Sequence, residues 1–167
     1  MKKKIVILGS TGSIGSTTVQ IIKNNLKDFD VIALSTNKNI KKLYEQAKQT
    51  KAKNLIISNE KSFLKFKAKI KKKKIRVFKN HLEFKKNSKN KVDYTMCAIS
   101  GLEGLKPTLD AIKYSSTVAI ANKESIICAW NLIEKELSRN KTKFIPIDSE
   151  HFSIWSLIKN ENKNNIE

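Results

Sequence analysis

The sequence predicts an α/β domain built on a doubly wound parallel sheet. Three observations carry this expectation. Short β-branched runs alternate with amphipathic stretches of helical length, and a glycine-rich turn joins the first run to the first amphipathic stretch. Further polar clusters recur where later strands give way to helices, the edge at which open α/β sheets bind ligands. With 167 residues, 40% of them hydrophobic, the chain has room for one domain with a real core.

Residues 4–8 read as a fully buried strand and 14–24 as a helix. Residues 30–34 are a second strand, 40–49 a second helix and 54–57 a third strand. The stretch 61–91 holds 13 lysines and Arg76. A helix over 62–70 and a short strand over 75–78 fit there, and the lysines read as the solvated face of a surface unit. Regularity returns with a strand at 94–99, a helix at 105–114 and a strand at 117–121. Over 124–137, Ile126, Ile127, Trp130, Ile133 and Leu137 form a helical apolar stripe. A strand at 144–147 follows, and a helix begins at 153–158. After Lys159 the chain turns to Asn, Lys and Glu, which reads as a cut or a disordered tail.

Composition narrows the function classes. The longest apolar runs are a few residues, too short to span a bilayer. The basic start and the run Ile5 to Leu8 imitate a signal peptide, but the run stops at Gly9 with no cleavage site after it, so a cytoplasmic protein is expected. Cys97 and Cys128 match no metal or redox spacing and are expected to be buried, inert thiols. The net charge of +19, from 34 basic and 15 acidic residues, raises nucleic acid or an anionic membrane as partners. Only Arg76 and Arg139 are arginines, however, and base readers lean on arginine. Salt-sensitive sticking to polyanions is expected, with no specific nucleic acid and no membrane as partner.

Gly9-Ser10-Thr11-Gly12-Ser13-Ile14-Gly15 lies between the first strand and the first helix, the context that gives such a turn meaning. Gly9 permits the tight turn, Gly12 lets backbone approach a pyrophosphate, and Gly15 lets the helix pack near the strand. The helix N-terminus then offers unpaired N–H groups to phosphate. The spacing is G-x-x-G-x-x-G, so the match to the usual fingerprint is inexact. The competing readings are a structural turn or a site for another phosphate-bearing ligand. The expected class is a Rossmann-type dinucleotide domain binding a nicotinamide cofactor. The second strand ends in Ser35-Thr36-Asn37-Lys38-Asn39, without the carboxylate that holds an NAD ribose. Lys38 and the asparagines suit a 2′-phosphate, so NADPH is expected over NADH.

Ala121-Asn122-Lys123-Glu124-Ser125 ends a strand and starts a helix. Asn122 as N-cap and Glu124 as a first-turn acid have a purely structural account. Lys123 opposes the helix dipole unless it serves an anion or an acidic partner. Ile147-Asp148-Ser149-Glu150-His151 follows the next strand. On an extended segment Asp148 and Glu150 point the same way and can share a hard divalent cation, with a third ligand from elsewhere. A capped helix start, with Asp148 or Ser149 as N-cap, is the competing reading, and both remain open. No nucleophile elbow accompanies Ser149 and His151.

Three blocks together, GSTGSIGSTT at 9–18, ANKES at 121–125 and PIDSEH at 146–151, resemble the 1-deoxy-D-xylulose 5-phosphate reductoisomerase family. A weaker likeness covers 33–39. The resemblance implies that Thr11, Gly12, Ser13 and Ile14 bind NADPH at the pyrophosphate turn. Asn37, Lys38 and Asn39 would surround its 2′-phosphate end, and Asn122 and Glu124 would also meet the cofactor. Lys123, Ser149 and Glu150 would face a sugar phosphate substrate, with Lys123 and Glu150 as the catalytic residues. Asp148 and Glu150 would hold Mn²⁺ or Mg²⁺. The implied reaction is NADPH-dependent rearrangement and reduction of 1-deoxy-D-xylulose 5-phosphate to 2-C-methyl-D-erythritol 4-phosphate.

The same resemblance implies residues 1–147 as the NADPH-binding domain and 148–167 as an incomplete start of the metal- and substrate-binding part. Family members are much longer and homodimeric, so cofactor binding without turnover is expected of this chain. The rival readings are another NADP-dependent oxidoreductase, such as a semialdehyde or homoserine dehydrogenase, and a non-enzymatic polyanion-binding module resting on 61–91.

Overall fold

The computed structural model describes residues 1–70, 74–87 and 91–159. Its strands are β1 (Lys3–Leu8), β2 (Phe29–Thr36), β3 (Asn54–Ile57), β4 (Arg76–Phe78), β5 (Val92–Cys97), β6 (Ser115–Ile120) and β7 (Lys143–Pro146). They form one sheet in the order β4-β3-β2-β1-β5-β6-β7, every pairing parallel. The helices are α1 (Ser13–Lys23), α2 (Ile40–Thr50), α3 (Glu60–Lys69), α4 (His81–Asn87), α5 (Leu105–Ile112), α6 (Lys123–Asn140) and α7 (Ser149–Ile158), with a 3-10 turn at Leu102–Gly104 before α5.

The side-chain alternation of β1 explains why both faces must be covered. Ile5 and Ile7 enter a cluster with Val19 and Ile22 of α1, Leu43 and Ala47 of α2, and Phe63 and Phe66 of α3. Val6 and Leu8 point the other way, to Phe84 of α4, Ile112 of α5, and Ile126, Ile133 and Leu137 of α6. A strand buried on both faces reads as a continuous apolar run. Each fully buried Ile, Leu or Val contributes about 1.5–3 kcal/mol relative to exposure. The chain adds strands outward on one side of β1 as far as β4, then returns to the other side and adds β5, β6 and β7. β1 therefore pairs with both β2 and β5, and the loops after these strands part above it, opening a crevice there.

The expected alternation of strands and helices is present, with shifts at the ends. The lysine-rich stretch does carry α3 and β4, and it also holds α4, which the sequence reading left without an element. Asn80 Oδ1 accepts the Glu83 N–H at 2.7 Å, and Glu83 Oε2 accepts the Lys79 N–H at 2.9 Å. This reciprocal cap starts a short helix that Phe84 pins to the core through edge contacts with Phe78 and Tyr114. The expectation of a tail after Lys159 falls on residues 160–167, outside the described residues.

Two expectations need correction. The stripe on α6 is Ile126, Ala129, Ile133 and Leu137, all buried, whereas Ile127 is 69% exposed and Trp130 37%. Residues 127 and 130 sit one step round the helix, where Trp130 packs against Phe144 of β7 at a ring distance of 5.5 Å instead of entering the core. Cys97 is buried under α5 and its thiol is pushed up to about 12 by desolvation, against a weaker hydrogen bond with Thr108. Cys128, on the outer side of α6, is exposed and so is not a buried thiol.

Candidate functional site

Gly9 has φ +74, and a Cβ there would meet the Ala98 carbonyl oxygen at 2.5 Å. A Cβ on Gly15 would run into the Gly9 carbonyl. Those two glycines are therefore demanded by the protein itself, one by conformation and one by close packing. Gly12 differs: a Cβ there would find the Gly9 oxygen at 3.4 Å and otherwise little. Gly12 is the N-cap of α1, with no side chain capping the helix. The free N–H groups of the first turn thus face open space beside Gly12, the arrangement that receives phosphate.

The turn is held by residues far away in sequence. Ser35 Oγ accepts the Gly9 N–H at 2.8 Å, and the Ser35 carbonyl accepts the Ser10 N–H at 2.9 Å. Gln46 of α2 grips Ser10 twice, donating to its carbonyl at 2.7 Å and accepting from its hydroxyl at 2.8 Å. Thr11 and Thr36 hydroxyls meet at 2.7 Å, and Lys42 Nζ donates to the Thr11 carbonyl at 3.0 Å. Sequence reasoning did not single out Lys42 or Gln46. Both lie on the inward side of α2, and the only signal for them was that helical phase.

No carboxylate stands at the end of β2. Asn37 lies at the rim of a cavity beside Thr36, and Lys38 is exposed. The Asn39 side chain caps α2 by accepting the Lys42 N–H at 3.1 Å.

Two cavities flank this turn. The larger, about 600 Å³, runs from Gly9, Thr11 and Gly12 past Thr36 and Asn37 to the N-terminus of α4 and one side of α5. The smaller, about 350 Å³, lies between Ile14 and the two later motifs, Ala121 to Glu124 and Ile147 to Glu150. Ala98, Ile99 and Ser100, following β5, border both. The parallel topology thus brings all three sequence blocks to one edge of the sheet. Among the expected residues, Thr11, Gly12 and Asn37 border the larger cavity. Ile14, Asn122, Lys123, Glu124, Asp148, Ser149 and Glu150 border the smaller.

Asn122 is 2% exposed and its amide is fully engaged. The oxygen accepts the Ser125 N–H at 2.9 Å, and the nitrogen donates to the carbonyls of Ile99 and Gly101, each at 2.6 Å. It ties the loop after β5 to the start of α6. Lys123 Nζ lies 3.9 Å from Glu150 Oε1, so the cation at the start of α6 does face an acidic partner.

At the second motif the capped-helix reading holds, and the extended one is corrected. Asp148 is the N-cap of α7, its Oδ1 accepting the His151 N–H at 3.0 Å and meeting His151 Nδ1 at 2.6 Å. Glu150 therefore sits in the first turn of a helix, not two places along a strand. Capping competes successfully with extension because Asp148 satisfies an otherwise unpaired helix N–H. Burial alone would raise the Asp148 carboxyl, but the hydrogen bonds and charge of His151 outweigh it and hold it below its usual range. Glu150 is held low by its own backbone N–H, by the Ser149 hydroxyl at 2.8 Å and by Lys123. Both carboxylates are thus kept anionic.

Asp148 Oδ2 is buried without a hydrogen-bond partner. A buried carboxylate oxygen lacking a donor, beside a second carboxylate, is the donor chemistry that suits a hard divalent cation. No group of three or more metal-ligating side chains occurs among the described residues, so the pair by itself could offer a cation only part of a coordination shell.

A parallel sheet with a glycine turn at its switch point and paired cavities on either side defines a Rossmann-type dinucleotide-binding fold. Residues 5–130 match the family model for 1-deoxy-D-xylulose 5-phosphate reductoisomerase. The chain belongs to that family. It is 56% identical over 167 residues to the 1-deoxy-D-xylulose 5-phosphate reductoisomerase of Pelagibacter ubique, covering 99% of this chain and 43% of that protein. The Buchnera aphidicola protein of the same name is 42% identical over 159 residues, covering 93% of this chain and 40% of the relative. The chain thus spans less than half the length of these relatives.

Among solved structures, the Zymomonas mobilis reductoisomerase in complex with NADPH superposes with TM-score 0.88 at 35% identity, covering 98% of this chain and 43% of that one. A reductoisomerase in complex with NADPH, fosmidomycin and magnesium gives 0.83 at 28% identity, covering 92% of this chain and 38% of that one. A Staphylococcus aureus homoserine dehydrogenase gives 0.51 at 18% identity, covering 87% of this chain and 32% of that one, a likeness of fold alone.

Proposed function

We propose that this chain is the NADPH-binding part of a 1-deoxy-D-xylulose 5-phosphate reductoisomerase, carrying part of the metal site. The observation that supports this most is the convergence of the phosphate turn, Lys123 and the Asp148/Glu150 pair on two adjoining cavities at one sheet edge. Residues 1–147 form the cofactor domain in this reading, and 148–167 begin the substrate domain. Thr11, Gly12, Ser13 and Ile14 present N–H and hydroxyl groups to the pyrophosphate. Asn37, Lys38 and Asn39 meet the 2′-phosphate, while Asn122 and Glu124 border the nicotinamide half.

Asp148 and Glu150 hold Mg²⁺ or Mn²⁺ in this proposal, with remaining ligands from outside the described residues. When bound, such a metal polarises the substrate carbonyl as a Lewis acid. Lys123, placed by the first turn of α6, neutralises the sugar phosphate and orients Glu150. Ser149 and Glu150 line the substrate's side of the smaller cavity. The reaction proposed for the whole protein yields 2-C-methyl-D-erythritol 4-phosphate, in a cytoplasmic homodimer.

A fluorescence titration with NADPH and with NADH, at moderate and high salt, tests the reading. Saturable NADPH binding, tighter than NADH and persisting in salt, is the expected result. Equal, weak binding that disappears with salt would leave only lysine charge, the signature of a polyanion binder. NADPH oxidation in the presence of the sugar phosphate and Mn²⁺ is expected to be undetectable for this chain alone.

A further inference from the structure

The sheet is unevenly covered. On the face that receives Ile5 and Ile7, the packed helix residues come from α1, α2 and α3, and none from α4 to α7. Those three helices serve β1 to β4, yet the same apolar cluster runs on across β5, β6 and β7 through Tyr94, Met96, Ala119 and Ile145. Strand register sets these side chains in two rows, Met96–Ala119–Ile145 and Tyr94–Thr117–Lys143. Met96 and Ala119 are buried among their neighbours, whereas Tyr94, Thr117 and Ile145 are only half-buried. Parallel sheets are normally buried on both faces. Half of this one lacks a helix over its second face among the described residues.

The bare half is a trough, not a flat patch. One wall is α1, whose Ile14 and Ile21 lie two turns apart on one side of the helix and are 41% and 57% exposed. A cavity of about 430 Å³ follows this wall, from Ile21 past Tyr94 and Met96 to Thr117. The small side chains of Ala98 and Ala119 keep the floor low. A helix with its side chains is about 10 Å across, and two strand spacings also come to about 10 Å. One helix therefore fits beside α1 over β5 to β7. The end where the strands begin carries Lys3 and Lys143, while Asp93 there is engaged by the Lys4 N–H at 2.7 Å. That end of the trough is left with a positive rim.

We infer that this trough docks an amphipathic helix with an acidic end, supplied by the part of the reductoisomerase polypeptide outside the region matched here. It rests on the reading above that the chain is one part of such an enzyme, and adds the surface on which the parts meet. The relatives carry more than half their length outside the matched region. The edge strand β7 borders the trough, and α7 leaves the sheet from it. Apolar anchors at helical spacing fill the trough beside Ile21 and Tyr94, and acidic residues at one end meet Lys3 and Lys143. A second copy of this chain fits less well, because a net charge of +19 on each copy opposes self-association.

Cysteine labelling tests this in two proteins, the present chain and the full-length Pelagibacter ubique relative. In a Cys128→Ser background, Ile21→Cys and Lys23→Cys place reporters on the trough side of α1 and on its far side. Both positions are exposed in this chain, so their rates of reaction with maleimide should agree within about threefold. At the aligned positions of the relative, assayed as active enzyme, the counterpart of Ile21 should react at least about tenfold more slowly than that of Lys23. Thr117→Cys and its counterpart, on the floor of the trough, give a second reporter if the first disturbs α1. Equal rates at the trough and far-side positions of the relative overturn the inference. Slow labelling of Ile21→Cys in this chain that eases on dilution would assign the trough to a second copy. Slow labelling at every concentration would mean that the chain closes the trough itself. Either result overturns the inference as well. NADPH titration of the unaltered chain is read separately: its failure sinks the cofactor reading and leaves the labelling rates unaffected.

Discussion

The Lys123 ammonium lies 3.9 Å from the Glu150 carboxylate, bridging the first turn of α6 and the first turn of α7. Both side chains are more than half exposed, at 54% and 63%, so solvent screens the pair and it adds little to stability. Its placement matters more: it sets a cation and an anion side by side at the smaller cavity. Lys123→Met is therefore expected to leave the urea midpoint of unfolding unchanged while weakening inorganic phosphate binding at low salt. A clear loss of stability with phosphate binding intact would make the pair structural.

The unpartnered Asp148 Oδ2 and the neighbouring Glu150 lead to a second prediction. The chain should bind Mn²⁺ weakly, because two carboxylates under-coordinate the ion. The paired variant Asp148→Asn with Glu150→Gln should abolish the change in the Mn²⁺ electron paramagnetic resonance signal. NADPH affinity in that variant should stay within about twofold, because neither carboxylate is assigned a contact with the cofactor. Loss of both together would mean that the substitutions damage the fold near α7, and the metal assignment would then lack support.

Much of this arrangement was legible in the sequence because parallel strands and their helices announce themselves locally. The β-branched run at Ile5, Val6 and Ile7, the glycine spacing and the polar blocks after β6 and β7 each sit where a strand must end. What stayed hidden depends on tertiary contact. Gln46 and Lys42 reach the phosphate turn across more than thirty residues, and no local pattern marks that reach. Helix α4 was obscured by lysines on either side, although Asn80 and Glu83 carry a cap signal at the right spacing. The apolar pattern marks α7 only from residue 153, whereas the Asp148 cap starts the helix four residues earlier, at Ser149.

Gln46 illustrates the cost of that hidden support. It is 5% exposed, and both ends of its amide serve Ser10. Gln46→Leu leaves the buried Ser10 carbonyl without that donor, at an expected cost of roughly 1–3 kcal/mol. NADPH affinity should fall as well, because the turn loses its brace. Chemical denaturation and cofactor titration on one preparation read both effects. A variant as stable as the parent and equally avid for NADPH would show that Ser35 and Lys42 hold the turn unaided.

His81 makes stability depend on pH with a definite sign. Burial lowers its pKa from 6.5 to about 4, so the unfolded chain binds this proton more readily than the folded one. The stabilisation is fully present above pH 6.5 and is lost as pH falls toward 4. Over the whole window the loss is about 3 kcal/mol. Comparing urea midpoints at pH 7.5 and 5 for the parent and His81→Gln isolates this group, since other titrations are shared. The variant should lose less stability on acidification. Parallel pH profiles would place the imidazole in water rather than in the core.

Gly12 and Gly15 provide the sharpest separation of fold from function. A methyl group on Gly15 strikes the Gly9 backbone, which has no room to retreat. A methyl on Gly12 meets the Gly9 oxygen at 3.4 Å and little else. Gly15→Ala should therefore destabilise the protein by about 1–3 kcal/mol or more, the cost of forced overpacking, and weaken cofactor binding together with the fold. Gly12→Ala should fold with near-parental stability, yet bind NADPH at least about tenfold more weakly, because the methyl occupies the approach of the pyrophosphate to the helix N-terminus. Thermal melts with and without NADPH distinguish the two. A cofactor that binds the native state alone should raise the midpoint of the parent, and Gly12→Ala should show almost none of that rise. A full NADPH-induced shift in Gly12→Ala would mean that the phosphates lie elsewhere, and the glycine turn would then be a device for packing α1 against β1.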